Sequence, residues 1–211
     1  MPGEERVIDV GVLASGSGTN MEAIAQAIDD GDVPARIAVV ISDNPDAFAL
    51  ERARRRGIPI TVVLLSDYPD RASYDRAVTA ALRDAGVDLV VLAGYMKMAG
   101  KELVEEFRGR MMNIHPALLP SFPGTHSVRD ALEYGVKVSG VTVHFVDEGL
   151  DTGPVIAQEA VPLEEGDDAE SLHNRIHLAE YRVYPRAIRL FAEGRLVIEG
   201  RKVVVLPSPS P

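Results

Sequence analysis

The sequence predicts an α/β fold: a doubly wound, mostly parallel sheet whose C-terminal portion turns antiparallel. In the first half of the chain, apolar and β-branched runs alternate with stretches of helical spacing, and Gly31, Gly57 and Gly86 close three of those stretches. The runs are apolar throughout rather than at every second position, as expected of strands covered on both faces. After Gly135 two long strand-like runs follow one another with no helix between them, so the sheet should change direction there.

Val7 to Leu13 reads as the first buried strand. A glycine-rich turn, ASGSGTN, follows, and from Met21 the positions Met21, Ile24, Ala25 and Ile28 repeat at helical spacing. Thr19 with Glu22 fits a capping box and puts the helix start there. Further strands are expected at Ile37 to Ile41, Pro59 to Leu64, Asp88 to Ala93 and Arg110 to Ile114, and helices at Asp46 to Arg56, Arg71 to Ala85, Lys101 to Phe107 and Thr125 to Tyr134. Val138 to Val146 and Pro154 to Val161 read as two strands joined by DEGLDTG. Asp167 and Glu170 suggest a second capping box, opening a helix with Leu172, Ile176, Ala179, Val183 and Ala187 on one face. Pro185 lies inside that helix and should bend it. Leu196 to Val205 predicts a hairpin around Glu199–Gly200. No linker divides the chain, so residues 1–211 are expected to form one domain, with loose tails at 1–6 and 207–211.

Composition removes several function classes. The chain has 211 residues and no cysteine, which excludes disulfides, thiolate metal sites and a cysteine nucleophile. The formal net charge of −10 argues against a nucleic-acid partner, which needs a basic face. It does not argue against small anions, which backbone amides can hold locally. No apolar run approaches the ~20 residues of a membrane span, and the N-terminus does not read as a secretory signal, so a cytoplasmic protein is expected. A homodimer is compatible with an acidic α/β chain of this size.

The turn from Ala14 to Asn20 leaves a strand and enters a helix, the setting in which glycines let backbone amides approach a phosphate. It is neither a dinucleotide fingerprint, since Met21 stands where the third glycine belongs, nor a Walker loop. A plain tight turn accounts for it equally well. Residues 112–124 read MNIHPALLPSFPG. At a strand end Asn113 and His115 point to the same side, and an amide beside an imidazole suits a developing oxyanion. Pro116, Pro120 and Pro123 would stiffen the loop after His115. Taken alone, a single histidine more often packs than reacts. In DEGLDTG, Asp147 and Glu148 read as solvated acids, whereas Asp151 sits in a tight turn before an apolar strand; near His115 it would favour the imidazolium and could take a proton. His144 could brace the site or simply pack. His173 and His177 have a spacing zinc can use, but no third ligand is evident, so no metal is expected.

Together, ASGSGTN, LAGYMKM, NIHPALLPSFPG and VHFVDEGLDTGPVI resemble the folate-dependent formyltransferases, from about Val7 to about Arg195. Within them the chain is most similar to the branch whose acceptor is glycinamide ribonucleotide. The methionyl-tRNA branch carries a further C-terminal domain and the formyltetrahydrofolate deformylases a further N-terminal one, and neither is expected here. The resemblance implies a Rossmann-like formyltransferase fold and a transfer of formyl from 10-formyltetrahydrofolate, a co-substrate, to the ribonucleotide amine through a tetrahedral intermediate. It implies that Asn113, His115 and Asp151 form the catalytic trio. Gly18, Thr19 and Asn20 match the phosphate loop, and Glu180 matches the acid on the ribose hydroxyls, with His177 one turn earlier. Arg71, Met96, Lys97, Met98, Ala99, Asn113, Asp147, Glu148, Gly149, Leu150 and Asp151 match the folate pocket, Lys97 and Met98 in its variable part. The alternatives are a hydrolase that uses water as acceptor and a non-catalytic nucleotide-binding protein.

Overall fold

The computed structural model describes residues 6–208. Five strands form the parallel part: β1 (Ile8–Leu13), β2 (Ala35–Ser42), β3 (Ile60–Val62), β4 (Leu89–Leu92) and β5 (Met111–His115). Helices α1 (Thr19–Asp29), α2 (Phe48–Arg55), α3 (Arg71–Asp84) and α4 (Lys101–Glu106) connect them. After α5 (Ser127–Tyr134) the sheet continues antiparallel through β6 (Val138–Phe145) and β7 (Val155–Pro162). Helix α6 (Ala169–Ala192) and the hairpin of β8 (Leu196–Glu199) and β9 (Lys202–Val205) complete the described chain. The nine strands among the described residues join one sheet in the order β3-β2-β1-β4-β5-β6-β7-β9-β8. The expected doubly wound, mostly parallel sheet with an antiparallel C-terminal portion is therefore observed.

The continuous apolar runs arise because both faces of the sheet are covered. In β4, Leu89 and Val91 join a core with Met21 and Ile24 of α1 and Ile176 and Val183 of α6. Val90 and Leu92 point the other way, to Tyr74, Val78 and Leu82 of α3 and Leu103 of α4. Each of these side chains is essentially inaccessible to water, and burying each contributes about 1.5–3 kcal/mol. Tyr184 fastens α6 across two strands: its hydroxyl lies 3.1 Å from the Leu92 carbonyl and 3.0 Å from the Met112 carbonyl. As expected, Pro185 lies inside α6, which runs as one helix of 24 residues.

Successive strands lie to opposite sides of β1, which is bordered by β2 and β4. That reversal opens a crevice beyond the carboxyl ends of β1 and β4, where ligands bind in open α/β sheets.

Both expected capping boxes need correction. Gly18, not Thr19, is the N-cap of α1, and no side chain caps the helix. With Gly18 as the cap, Glu22 lies one position past the box, and it pairs with Arg56, 2.6 Å away. At α6 the cap is Asp168 with Ser171, one residue later than expected. The Asp167 carboxylate is already taken by Arg175 and the Ser171 hydroxyl, each at 2.9 Å. The expected loose tails fall mostly outside the described residues, but Arg6 is described and pairs with Asp88 at 2.6 Å. No helix among the described residues is long and apolar enough to cross a membrane.

Candidate active site

A cleft of about 400 Å³ occupies the crevice. Its size suits a small organic ligand. One wall is the glycine loop. Gly18 sits at φ 72°, a left-handed conformation, and a Cβ there would lie 2.6 Å from Cα of Ala49, so both backbone and space require glycine. The Glu22 amide donates to the Gly18 carbonyl at 3.0 Å, the first bond of α1. The amides of Thr19, Asn20 and Met21 consequently have no helical acceptor and stand at the positive end of the helix dipole. The uncapped start that defeats the sequence expectation leaves these amides open to an anion.

Asn20 turns its side chain across to α6, donating from Nδ2 to Glu180 Oε2 at 2.8 Å. His177 Nδ1 reaches the same oxygen, also at 2.8 Å. Glu180 is only 3% exposed, and its carboxylate lines the cleft. Asn20 Oδ1 is buried without a partner among the described residues.

At the end of β5, Asn113 and His115 both line the cleft, as side chains two apart on a strand should. The antiparallel register sets Asn113 opposite His144 and His115 opposite Thr142. Asn113 Nδ2 lies 3.3 Å from His144 Nε2 and 3.5 Å from Asp151 Oδ1. His144 Nδ1 donates to the Phe145 carbonyl at 2.8 Å, which leaves Nε2 directed at Asn113 and Asp151. His115 Nε2 donates to the Phe122 carbonyl at 2.8 Å, and its Nδ1 faces Asp151 Oδ2 at 3.5 Å. The Gly124 amide donates to that same Oδ2 at 2.8 Å. Burial alone would raise the Asp151 carboxyl pKa, but the His144 ring, the Gly124 amide and the charge of the neighbouring imidazoles outweigh it and hold the group below the ordinary carboxylate range.

Among the described residues, two that are not glycine have a left-handed backbone, Phe122 at φ 53° and Asp151 at φ 54°, and both touch this cluster. Such a conformation costs of order 1–3 kcal/mol and persists only where the surroundings enforce it. At Phe122 it accompanies the carbonyl bond to His115, and at Asp151 it places a carboxylate between two imidazoles. Prolines are not alone in shaping the loop after His115. The Thr142 hydroxyl donates to the Ala117 carbonyl at 2.7 Å and accepts from the Leu119 amide at 3.0 Å, while Gln158 holds the Leu119 carbonyl at 2.8 Å.

The remaining wall comes from Met96, Lys97, Met98 and Ala99 and from the loop Asp147 to Asp151. Met96 is 65% and Met98 59% exposed, giving a wet, apolar mouth able to cover a flat ring system. Lys97 pairs with Asp43 at 3.6 Å, and Ser15 ties the same carboxylate to the Met96 amide. Asp147 accepts from Thr152 and from the Gly149 amide, so it shapes its own loop as well as lining the cleft. Arg71 is the exception among the expected residues. It lies behind the wall, bonded to Asp75 and to the Met98 carbonyl, and does not line the cleft. Sequence reasoning did not pick out His173, Tyr95, Pro116, Gly124 or Thr125 as cleft residues.

A model of the family described as "Formyl transferase" matches residues 8–188. The chain belongs to the formyl transferase family. Among relatives, it is 46% identical over 200 residues to a phosphoribosylglycinamide formyltransferase of Mycobacterium tuberculosis, covering 92% of each chain. It is 49% identical over 189 residues to a trifunctional purine biosynthetic protein of Drosophila pseudoobscura, where it spans 89% of its own length but only 14% of that much longer protein. The crystal structure of glycinamide ribonucleotide transformylase 1 from Symbiobacterium toebii superposes with a TM-score of 0.94 at 54% identity, covering 95% of both chains. The formyl transferase match takes in the glycine loop, both strands that carry the cluster, and Glu180 on α6.

Proposed function

We propose that residues 1–211 act as one formyltransferase domain that transfers the formyl group of 10-formyltetrahydrofolate to the amine of glycinamide ribonucleotide. One observation carries the reading. A single cleft runs from the glycine loop and Glu180, past Asn113, His115 and Asp151, to the methionine-lined mouth, so two substrates entering from opposite ends would meet at the cluster. The full-length formyltransferase relative supports the choice of acceptor.

In this reading the amides of Thr19 and Asn20 receive the ribonucleotide's phosphate, and Glu180 accepts from its ribose hydroxyls. Met96, Met98, Leu150 and the backbone of residues 147–151 cover the folate. The folate supplies a formyl group on a nitrogen that leaves once protonated. As the amine attacks, the formyl oxygen gains charge, and Asn113 Nδ2 and the Nδ1–H of a cationic His115 donate to it. Asp151 supports that imidazolium and accepts the proton the amine loses, which then passes to the departing nitrogen. Arg71 acts here from behind, by holding the Met98 carbonyl. No metal is invoked. The same proposal includes a cytoplasmic location and a homodimer, checked by cell fractionation and by light scattering.

The test is the absorbance change as a 10-formyl folate loses its formyl group, with and without glycinamide ribonucleotide. Loss that depends on the ribonucleotide supports the transferase. Equal loss without it means water is the acceptor, and no loss from folded protein would overturn catalysis.

A further inference from the structure

The cleft holds few fixed positive charges. Among the described residues, Lys97 is the only Lys or Arg on its wall, and Asp43 neutralises it. The two imidazoles of the central cluster are engaged with Asp151. Two others remain, His173 and His177, on successive turns of α6. Their rings stack with centroids 4.2 Å apart and planes 22° from parallel, and Tyr181 extends the stack. His177 commits Nδ1 to Glu180, which leaves Nε2 without a partner among the described residues, and His173 makes no hydrogen bond there with either nitrogen. In the same cleft, buried Asn20 Oδ1 lacks a donor and the first amides of α1 lack acceptors among the described residues.

We infer that His173 and His177 form a proton-linked receptor for the phosphate of the acceptor, facing the start of α1. The inference rests on the acceptor being a phosphorylated ribose. Two neutral imidazoles stack without penalty, whereas two cations at that spacing repel. A phosphate dianion removes the repulsion, so its binding draws protons onto the pair. Burial, then the charge of His177, lowers the His173 pKa, and Glu180 opposes them. Of the elements nearby, α1 presents neutral Asn20 while Arg56 holds its Glu22. On α5, Arg129 pairs with Asp130 and Glu133, and before it Thr125 bonds His126.

The test is calorimetric titration of the full chain with ribose 5-phosphate in buffers of different ionisation enthalpy. Net proton uptake is expected, with affinity falling about tenfold between roughly pH 6.5 and 8.5. The phosphate's own second ionisation, near pH 6, works in the opposite direction, because rising pH favours the dianion. His173→Gln should bind about tenfold more weakly at the lower pH, and the difference should close at the higher. The variant changes a partly exposed position and should fold. Absence of proton uptake in the unaltered protein, or an unchanged pH slope in His173→Gln, overturns the receptor. Ribonucleotide-dependent formyl transfer is assayed in parallel. Its absence with proton-linked binding intact would remove the acceptor assignment but not the receptor.

Discussion

Asn113 on β5 stands directly across from His144 on β6, with Nδ2 3.3 Å from Nε2. His144 Nδ1 donates to the Phe145 carbonyl, which turns Nε2 toward Asn113 and Asp151, and the Asn113 amide nitrogen faces the same cluster. An amide held this way reaches a developing oxyanion by exchanging only its longer contact, the 3.5 Å approach to Asp151. Asn113→Ala should therefore lower kcat by about 10²–10³-fold, equivalent to ~2.7–4 kcal/mol of barrier. Steady-state turnover with both substrates checks this, and an undiminished kcat would remove Asn113 from the chemistry.

His144→Phe retains a flat ring but loses the ring nitrogen that Asn113 Nδ2 approaches. The Asn113 amide then becomes free to flip and present its oxygen to the cleft, so kcat should fall with little change in KM. His144→Gln, which can accept in the same place, should recover part of the loss. Equal kcat in both variants and in the parent would show His144 to be packing alone.

How much of this was readable in the sequence differs between the sheet and the cluster. The parallel strands were legible because burial on both faces leaves a local signature, the continuous apolar run. Asn113 and His115 were legible as a pair because two residues apart on a strand means the same side. The place of His144 depends on the register between β5 and β6, and no local pattern encodes that. Thr142 and Gln158, which hold the loop after His115, depend on the same register and on the next one. At Thr19 local chemistry was misleading: the helix takes Gly18 as its N-cap, one residue earlier, so Thr19 and Glu22 fall out of capping register and Glu22 pairs with Arg56, far along the chain. Arg71 was expected on the folate wall by resemblance; its Nε bonds Asp75 and its Nη2 the Met98 carbonyl, a long-range arrangement that no local pattern encodes.

Gly18→Ala should impair both stability and phosphate binding. The left-handed φ of 72° and the close approach of Ala49 penalise any Cβ. The strain is about 1–2 kcal/mol before the steric clash is counted. A lowered midpoint in urea, together with a raised KM for the ribonucleotide, is the expected result. If the variant is as stable as the parent, the loop has another accessible conformation.

Acid should loosen the start of α6 before it disturbs the rest. Hydrogen bonds from Arg175, supported by the Glu164 amide, hold the Asp167 carboxyl well below its ordinary pKa, and the Ser171 amide similarly lowers Asp168. A carboxylate whose pKa is depressed by folding contributes stability that is full above the unfolded-state value, about 3.9, and is lost as pH falls through the folded-state value. Asp167→Asn should thus unfold more readily than the parent at neutral pH. The two curves should converge as the pH drops below the ordinary carboxylate range. A difference that persists undiminished in strong acid would mean that Asp167 stabilises by shape rather than by charge.

Tyr184→Phe separates the scaffold from the chemistry. The hydroxyl is fully buried and bridges the Leu92 and Met112 carbonyls, so it links α6 to the two strands whose ends deliver Ala93 and Asn113 to the cleft. One hydroxyl proton serves both carbonyls, so the change removes one buried donor, which should cost about 1–3 kcal/mol of unfolding free energy. The ring itself still fills its place among Ile176, Val183 and Ile188, so little further loss from packing is expected. Neither bond reaches the cluster directly. Below the variant's unfolding transition, kcat per folded molecule should stay near that of the parent, while the denaturant midpoint drops. A large fall in kcat with an unchanged midpoint would show that the spacing of β4 and β5 at the cleft depends on this one hydroxyl.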